Sequence, residues 1–351
     1  MPQSLVLSID GMGGDHAPRS VVAGLDLVAR SARDVRFVLH GDQALLAPLL
    51  AEHSHARAVT SVRHADRALG MDIKPSQAMR QGRGTSLWNA VASVEEGEAA
   101  AIVSAGNTGA LMAIAMLRLR KMAGVHRPAL VASWPTMRGV SCVLDVGATV
   151  EADATQLVEF AIMGEAFFRA VHGAARPSVG LLNVGSEDEK GHEQIRAAAT
   201  LIRDSGLDLD FRGFVEGDDI GKGTVDVVVT DGFAGNIALK TAEGTARQVG
   251  AYLREALSGS LLGKLGALIA YPALKGLKAK MDPGRVNGGV FLGVNGLVVK
   301  SHGGADGPSF ASAIRVAMSM GRSPYRDEIE AKLARLSAAP AAAVASAPDA
   351  G

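Results

Sequence analysis

The residue types best suited to chemistry first gather in "LSIDGMGGDHAP", Leu7 to Pro18: an apolar run, Asp10, then Gly11, Gly13 and Gly14 within four positions, Asp15 and a proline. Glycines remove the Cβ atoms that keep a ligand away from the main chain, and a following helix adds unpaired N–H donors and the positive end of its dipole. A phosphate or a similar anion is the guest such a loop suits. The dinucleotide pattern G-x-G-x-x-G fits only in part, because Gly11 and Gly13 match while the third glycine position is His16. A tight strand-to-helix turn without a ligand is the plain alternative.

The elements around this loop follow from apolar spacing. "SLVLSI" is short and β-rich, and apolar residues recur at helical spacing from Val21 to Val28, so the glycines lie between a strand and a helix. The same alternation continues. "VRFVLH", "AAIVS", "ALVAS", "SCVLDVG", "SVGLLNVG", "DVVVTDG" and "GLVVKSHGG" read as strands, separated by helices such as Thr155 to His172 and Glu193 to Arg203. Apolar strands between helices predict an α/β fold with a mostly parallel sheet covered on both faces, hence three layers. Many of these strands end in glycine, polar or charged clusters: Asp10 to Asp15, Ser104 to Gly109, Asp145 to Gly147, Asn183 to Gly191, Asp231 to Asn236 and Ser301 to Gly307. Ligands of open α/β sheets bind beyond the carboxyl ends of the strands, so these clusters are expected to converge.

Composition excludes several classes. Of 351 residues, 36 are Lys or Arg and 36 are Asp or Glu, a balance that argues against a general nucleic-acid binder. Cys142 is the single cysteine and lies in an apolar run, which reads as a buried structural thiol. The histidines show no metal-ligand spacing, so no metal is expected. No secretory signal precedes the first strand and no apolar run reaches the roughly 18 residues that span a bilayer, giving a cytoplasmic reading. One domain over 1–336 is expected, including a helical hairpin at about 236–283 that Pro272 interrupts, followed by a disordered Ala/Pro-rich tail at 337–351.

Seven stretches in order resemble one family, the bacterial phosphate acyltransferases known as PlsX: "DGMGGDHAP", "SAGNTGALMA", "RPAL", "LDVGA", "GLLNVGSEDEKG", "VEGDDIGKGTVDVVVTDGFAGNIALKTAEG" and "GGVFLGVNGLVVKSHGGAD". The resemblance implies a fold like that of isocitrate dehydrogenases and phosphotransacetylases, and a homodimer. It further implies transfer of a long-chain acyl group from acyl carrier protein to inorganic phosphate, with no cofactor and no metal. The acyl phosphate would feed a membrane glycerol-3-phosphate acyltransferase.

Phosphate can attack a thioester carbonyl itself, so the reaction needs donors for phosphate and for a developing oxyanion rather than an activated Ser or Cys. In the motif context Lys190 and Asn236 are the leading candidates for those donors. Each has a plainer reading, as a solvated surface charge and a helix cap. Asp10, Gly13, Gly14 and Asp15 shape the anion loop, the aspartates by bracing it or by direct action, with Asn107 and Thr108 opposite. Asp231 is placed to orient a donor or accept a proton, and His302 to protonate the leaving thiolate, against the alternative of a buried histidine bonded to a carbonyl.

Two surfaces complete the expectations. "LRLRKMAGVHRP" gathers Arg118, Arg120, Lys121 and Arg127 for an acidic carrier, or merely sets cations at a helix C-terminus. Leu265, Leu268 and Ile269 near the hairpin tip, among lysines, suit reversible contact with the inner face of an anionic membrane, or a dimer interface. A phosphotransacetylase acting on a short acyl-CoA and a non-catalytic anion-binding membrane scaffold are the rival readings.

Overall fold

The computed structural model describes residues 4–338 apart from Asp282. Apolar, β-branched runs build one sheet from β1 (Leu5–Asp10), β2 (Val35–Gly41), β3 (Thr60–His64), β4 (Ala101–Ser104), β5 (Ala129–Thr136), β6 (Gly139–Leu144), β7 (Ser178–Leu182), β8 (Asp210–Val215), β9 (Val227–Val229), β10 (Gly289–Leu292) and β11 (Leu297–Lys300). Their order across the sheet is β3-β2-β1-β4-β11-β10-β5-β6-β9-β7-β8. Neighbours are parallel except at β11-β10, β10-β5 and β5-β6. The mostly parallel sheet therefore holds, but it consists of two parallel halves running in opposite directions.

Register brings the ends of those halves together. Val299 faces Val290, Val290 faces Val131 and Val131 faces Leu144, so the ends of β11 and β6 share one row although the strands point opposite ways. The carboxyl edges of the two halves thus meet near the middle of the molecule.

The helices are α1 (Arg19–Ala29), α2 (Gln43–Glu52), α3 (Ser54–Val59), α4 (Pro75–Gln81), α5 (Ser86–Glu95), α6 (Thr108–Leu119), α7 (Ala154–His172), α8 (Glu193–Asp204), α9 (Gly217–Lys222), α10 (Gly232–Ser258), α11 (Leu261–Ile269), α12 (Tyr271–Met281), α13 (Gly307–Gly321) and α14 (Tyr325–Ala338). On one face α1, α7, α8, α13 and α14 cover a continuous core that runs from Leu7 and Val103 through Val131 and Leu144 to Val227. On the other face the core is split. Ile102, Phe291 and Val298 pack under α4, α5 and α6, whereas Val143 and Val228 pack with α9 and the start of α10. Side chains alternate between faces along a strand, so the split face is where polar residues of the central strands can emerge.

The segment expected as a hairpin comprises three helices, α10, α11 and α12, with Pro272 at the second position of α12, where its missing N–H costs nothing, rather than interrupting a helix. Beyond Leu239, α10 buries no residue against the sheet. The tail boundary shifts: Ser337 and Ala338 end α14, where Ser337 Oγ donates to the Leu333 carbonyl at 3.1 Å, and the rest of the expected tail lies outside the described residues.

Candidate active site

The glycine loop after β1 is tied to two other strand ends. Asp10 is buried, and its carboxylate accepts from Ser104 Oγ at 2.7 Å, while Ser104 Oγ accepts from the Gly106 N–H at 3.0 Å. A Cβ on Gly13 would lie 2.4 Å from Asp10 Oδ2 and 2.7 Å from the Gly106 nitrogen, so only glycine lets these loops touch. Gly14 has φ of +108°, and the next N–H, from Asp15, donates to the Gly303 carbonyl at 2.8 Å. The loops after β1, β4 and β11 therefore form one wall. Burial raises the Asp10 pKa, against the opposing pull of its hydrogen bonds. Asp10 is placed as a brace behind the loop, and Asp15 is exposed in front of it.

Lys300 ends β11 directly beside Ser104, and on its other side stands Gly289, which has no side chain. Asp10, Ser104 and Lys300 thus occupy adjacent strands at the split face. The ammonium of Lys300 donates to the Ser301 carbonyl, and among the described residues no carboxylate comes within ion-pair distance of it. Burial pushes its pKa down to about 8; the charges of Asp10 and Asp15 pull it up, and Lys240 of α10 pushes it down further. Lys240 belongs to α10, which starts from the other half of the sheet. Sequence reasoning passed over Lys300 because it closes the apolar run "GLVVK" and has no catalytic spacing partner.

Asn236 lies one helical turn before Lys240 on the same side of α10. Its Nδ2 donates to the Val146 carbonyl at 3.2 Å, and a Cβ on Gly147 would meet that nitrogen at 3.0 Å. Asn236 consequently anchors α10 to the loop after β6. That loop is wrapped around buried Asp145, whose carboxylate accepts from the N–H groups of Leu130, Gly147, Ala148 and Thr149. Asp231 caps α10, accepting from the Ala234 N–H at 2.8 Å. His302 is exposed rather than buried; its Nδ1 accepts from the Gly304 N–H at 3.2 Å, so in the neutral ring Nε2 carries the proton.

Other expected residues are placed differently. Lys190 sits in the loop after β7 with its ammonium 2.8 Å from Glu187 Oε1, exposed, and this bond raises its pKa. No contact among the described residues joins it to the glycine loop. Asn107 spends both ends of its amide on structure, accepting from the Ala110 N–H at 2.8 Å and donating to the Met71 carbonyl at 2.6 Å. Thr108 begins α6 and is exposed. Arg118 packs over Trp88, 5.1 Å from the ring centroid, and pairs with Glu95, so its guanidinium is engaged within the chain. Arg120, Lys121 and Arg127 are exposed, with Lys121 Nζ donating to the His126 carbonyl at 3.0 Å. Leu265, Leu268 and Ile269 of α11 are exposed.

What this geometry brings together is glycine-loop backbone, a buried aspartate and a lysine ammonium. Cys142 is fully buried with its thiol pKa raised by burial, and no group of three or more His, Cys, Asp or Glu among the described residues could hold a metal ion. No helix among them is long and apolar enough to cross a membrane.

Comparison with known proteins agrees with this frame. The model of a fatty acid synthesis protein family matches residues 5–326. A phosphate acyltransferase of Caulobacter vibrioides is 61% identical over 97% of this chain and 95% of its own, and one of Rhodospirillum rubrum is 51% identical over 97% of each. Among solved structures, a phosphotransacetylase from Streptococcus pyogenes shares the fold with a TM-score of 0.61 at 15% identity, covering 91% of this chain and 94% of that one. EutD phosphotransacetylase from Staphylococcus aureus aligns with a TM-score of 0.57 at 14% identity, covering 90% and 94%. With a family model spanning nine-tenths of the sequence and relatives this similar end to end, the chain belongs to the PlsX family of acyltransferases, the fatty acid synthesis proteins.

Proposed function

We propose that this enzyme transfers a long-chain fatty acyl group from acyl carrier protein to inorganic phosphate, releasing acyl phosphate for phospholipid synthesis. The observation that supports it most is the partly buried Lys300 cation, without a carboxylate partner among the described residues, where three glycine-bearing loops meet and the one thiol is buried elsewhere. Hydrogen phosphate supplies the nucleophile: its oxygen forms a bond to the thioester carbonyl carbon, the C–S bond breaks, and the proton of the phosphate ends on the thiol sulfur. Asn236 and Lys190 are proposed to stabilise charge on the carbonyl oxygen, Asp231 to fix the helix that carries Asn236, and the Nε2–H of His302 to meet the leaving sulfur. The enzyme is proposed to act as a homodimer, to dock the carrier on Arg120, Lys121 and Arg127, and to rest its hairpin tip on the membrane near a glycerol-3-phosphate acyltransferase.

The fold it shares with phosphotransacetylases supports a second reading, a short acyl-CoA donor. The exposed apolar surface of α11 favours the long chain, because acetyl transfer needs no membrane-facing surface. The deciding assay incubates the purified chain with long-chain acyl carrier protein and inorganic phosphate, and traps acyl phosphate with hydroxylamine. Phosphate-dependent hydroxamate matched by free carrier thiol is the expected result. Product from acetyl-CoA alone would move the assignment to the second reading, and no product from either donor would leave only an anion-binding scaffold.

A further inference from the structure

We infer that Lys300 is the residue that holds the acceptor phosphate, an assignment that rests on the acyl-transfer reading above. An ammonium partly withdrawn from water, as that of Lys300 is, is costly unless a counter-charge meets it. Lys240 already has one, since its ammonium lies 2.9 Å from Glu243 Oε2, and so does Lys190 through Glu187. Lys300 instead bonds to a neutral carbonyl, and the charges that act on it are those of Asp10 and Asp15 from the β1 side and of Lys240 from α10. Asp10 is engaged by Ser104 and the Met12 N–H, so it serves the loop rather than the lysine.

The ammonium stands at the strand end where glycine-bearing loops meet. Gly289 beside it and Gly303 beyond it carry no side chain, so Leu130 and Met71 close in on them, 3.2 and 2.8 Å from where Cβ atoms would be, and the Asp15 carboxylate lies along Gly303 and Gly304 at 3.6 and 3.7 Å from such positions. An incoming dianion would supply the missing charge at Lys300 and could accept from the glycine-loop backbone. The lysine stays on the phosphate throughout: it forms no covalent bond and transfers no proton.

The test uses the full chain with labelled inorganic phosphate in equilibrium dialysis, acyl donor omitted, alongside steady-state kinetics. Lys300→Met is expected to weaken phosphate binding at least tenfold and to raise the KM for phosphate equally, leaving the KM for the acyl donor within twofold. Lys300→Arg should restore part of the loss. In the native chain kcat/KM for phosphate should fall as pH rises beyond about 8, where the ammonium loses its proton. Native phosphate affinity in folded Lys300→Met overturns the assignment, as does a raised KM for the acyl donor alone, which would give the lysine to the phosphodiester of the donor's arm. Where Lys300→Met does not fold, Lys300→Gln takes its place, and the same two outcomes overturn the assignment. Loss of phosphate binding in a chain that makes no acyl phosphate would refute the reaction and keep the site; acyl phosphate formation with phosphate affinity unchanged by the substitution would do the reverse.

Discussion

Two residues singled out for charge stabilisation stand in unequal settings. Asn236 is held at a fixed place by Val146 on the cleft side of α10, whereas Lys190 spends its ammonium on Glu187 at the surface. For both to act in the transition state, Lys190 must exchange its carboxylate for substrate, an exchange that costs little at an exposed pair. Lys190→Ala and Asn236→Ala are each expected to lower turnover about 10²-fold with the fold intact, as read by kcat and circular dichroism. Turnover within threefold of the native enzyme would exclude that residue from the chemistry. A second residue-scale expectation concerns stability. His40 is buried beside Asp10 on the neighbouring strand, its Nδ1 without a partner and its Nε2 3.2 Å from Ser93 Oγ, and burial drives its pKa down to about 4. The folded chain keeps this ring neutral where the unfolded chain takes a proton, so stability is full above the ordinary value of 6.5 and falls as pH drops towards 4, by about 3 kcal/mol. His40→Gln should flatten that slope in urea unfolding measured from pH 7 to 4; an unchanged slope would place the acid sensitivity elsewhere. The glycine loop was legible in the sequence because its spacing is local, and Asp10 could be read as a brace. Lys300 was not, since its meaning comes from Ser104, Gly289 and Lys240, which only the sheet brings beside it.

At the scale of elements, the sequence revealed the strands whose two faces are both apolar and missed those that break that rule. β3 ("TSVRH") and β8 ("DFRGFV") lie at the sheet edges and carry exposed or partly exposed polar residues. The hairpin was visible because its composition differs from all else in the chain. Its α10, at 27 residues, is about 40 Å long and carries the chain away from the sheet. Leu261, Leu262, Leu268 and Ile269 of α11 are between 72% and 85% exposed, more than a monomer leaves open in one short helix without use. Both a dimer interface and a lipid surface would cover them, and the two differ in what charge does. If the proposed membrane contact is made by this tip, replacing Leu268 and Ile269 together with glutamate is expected to abolish sedimentation with anionic liposomes while the proposed dimer and turnover on soluble substrate persist. Dissociation or unfolding of that variant would assign the leucines to a protein interface.

Over the whole molecule, the reversal of strand direction between β11 and β6 was beyond reach of the sequence, because parallel and antiparallel neighbours are made from the same apolar runs. That reversal lets loops from both halves meet at one cleft, which a single doubly wound sheet would place along one edge. It also sets how the protein should unfold. The cleft divides only one face; on the other, α13 lies over β1, β4 and β11 and α7 over β6, β9 and β7, the two helices pack on each other, and one core runs beneath them without a break. Two halves sharing that core cannot lose it separately, so they are expected to melt as one cooperative unit. The chain has two tryptophans, conveniently divided: Trp88 in α5 reports on the first half and Trp134 in β5 on the strands that join it to the second. Trp88→Phe and Trp134→Phe variants, followed by fluorescence in guanidinium at one fixed protein concentration, should each give a single transition coincident with that seen by circular dichroism. Each substitution can shift the midpoint by its own effect on packing, so the comparison is made between probes within a variant. Fluorescence and circular dichroism midpoints that separate in either variant would show that the cleft, rather than the shared core, governs the stability of the two halves.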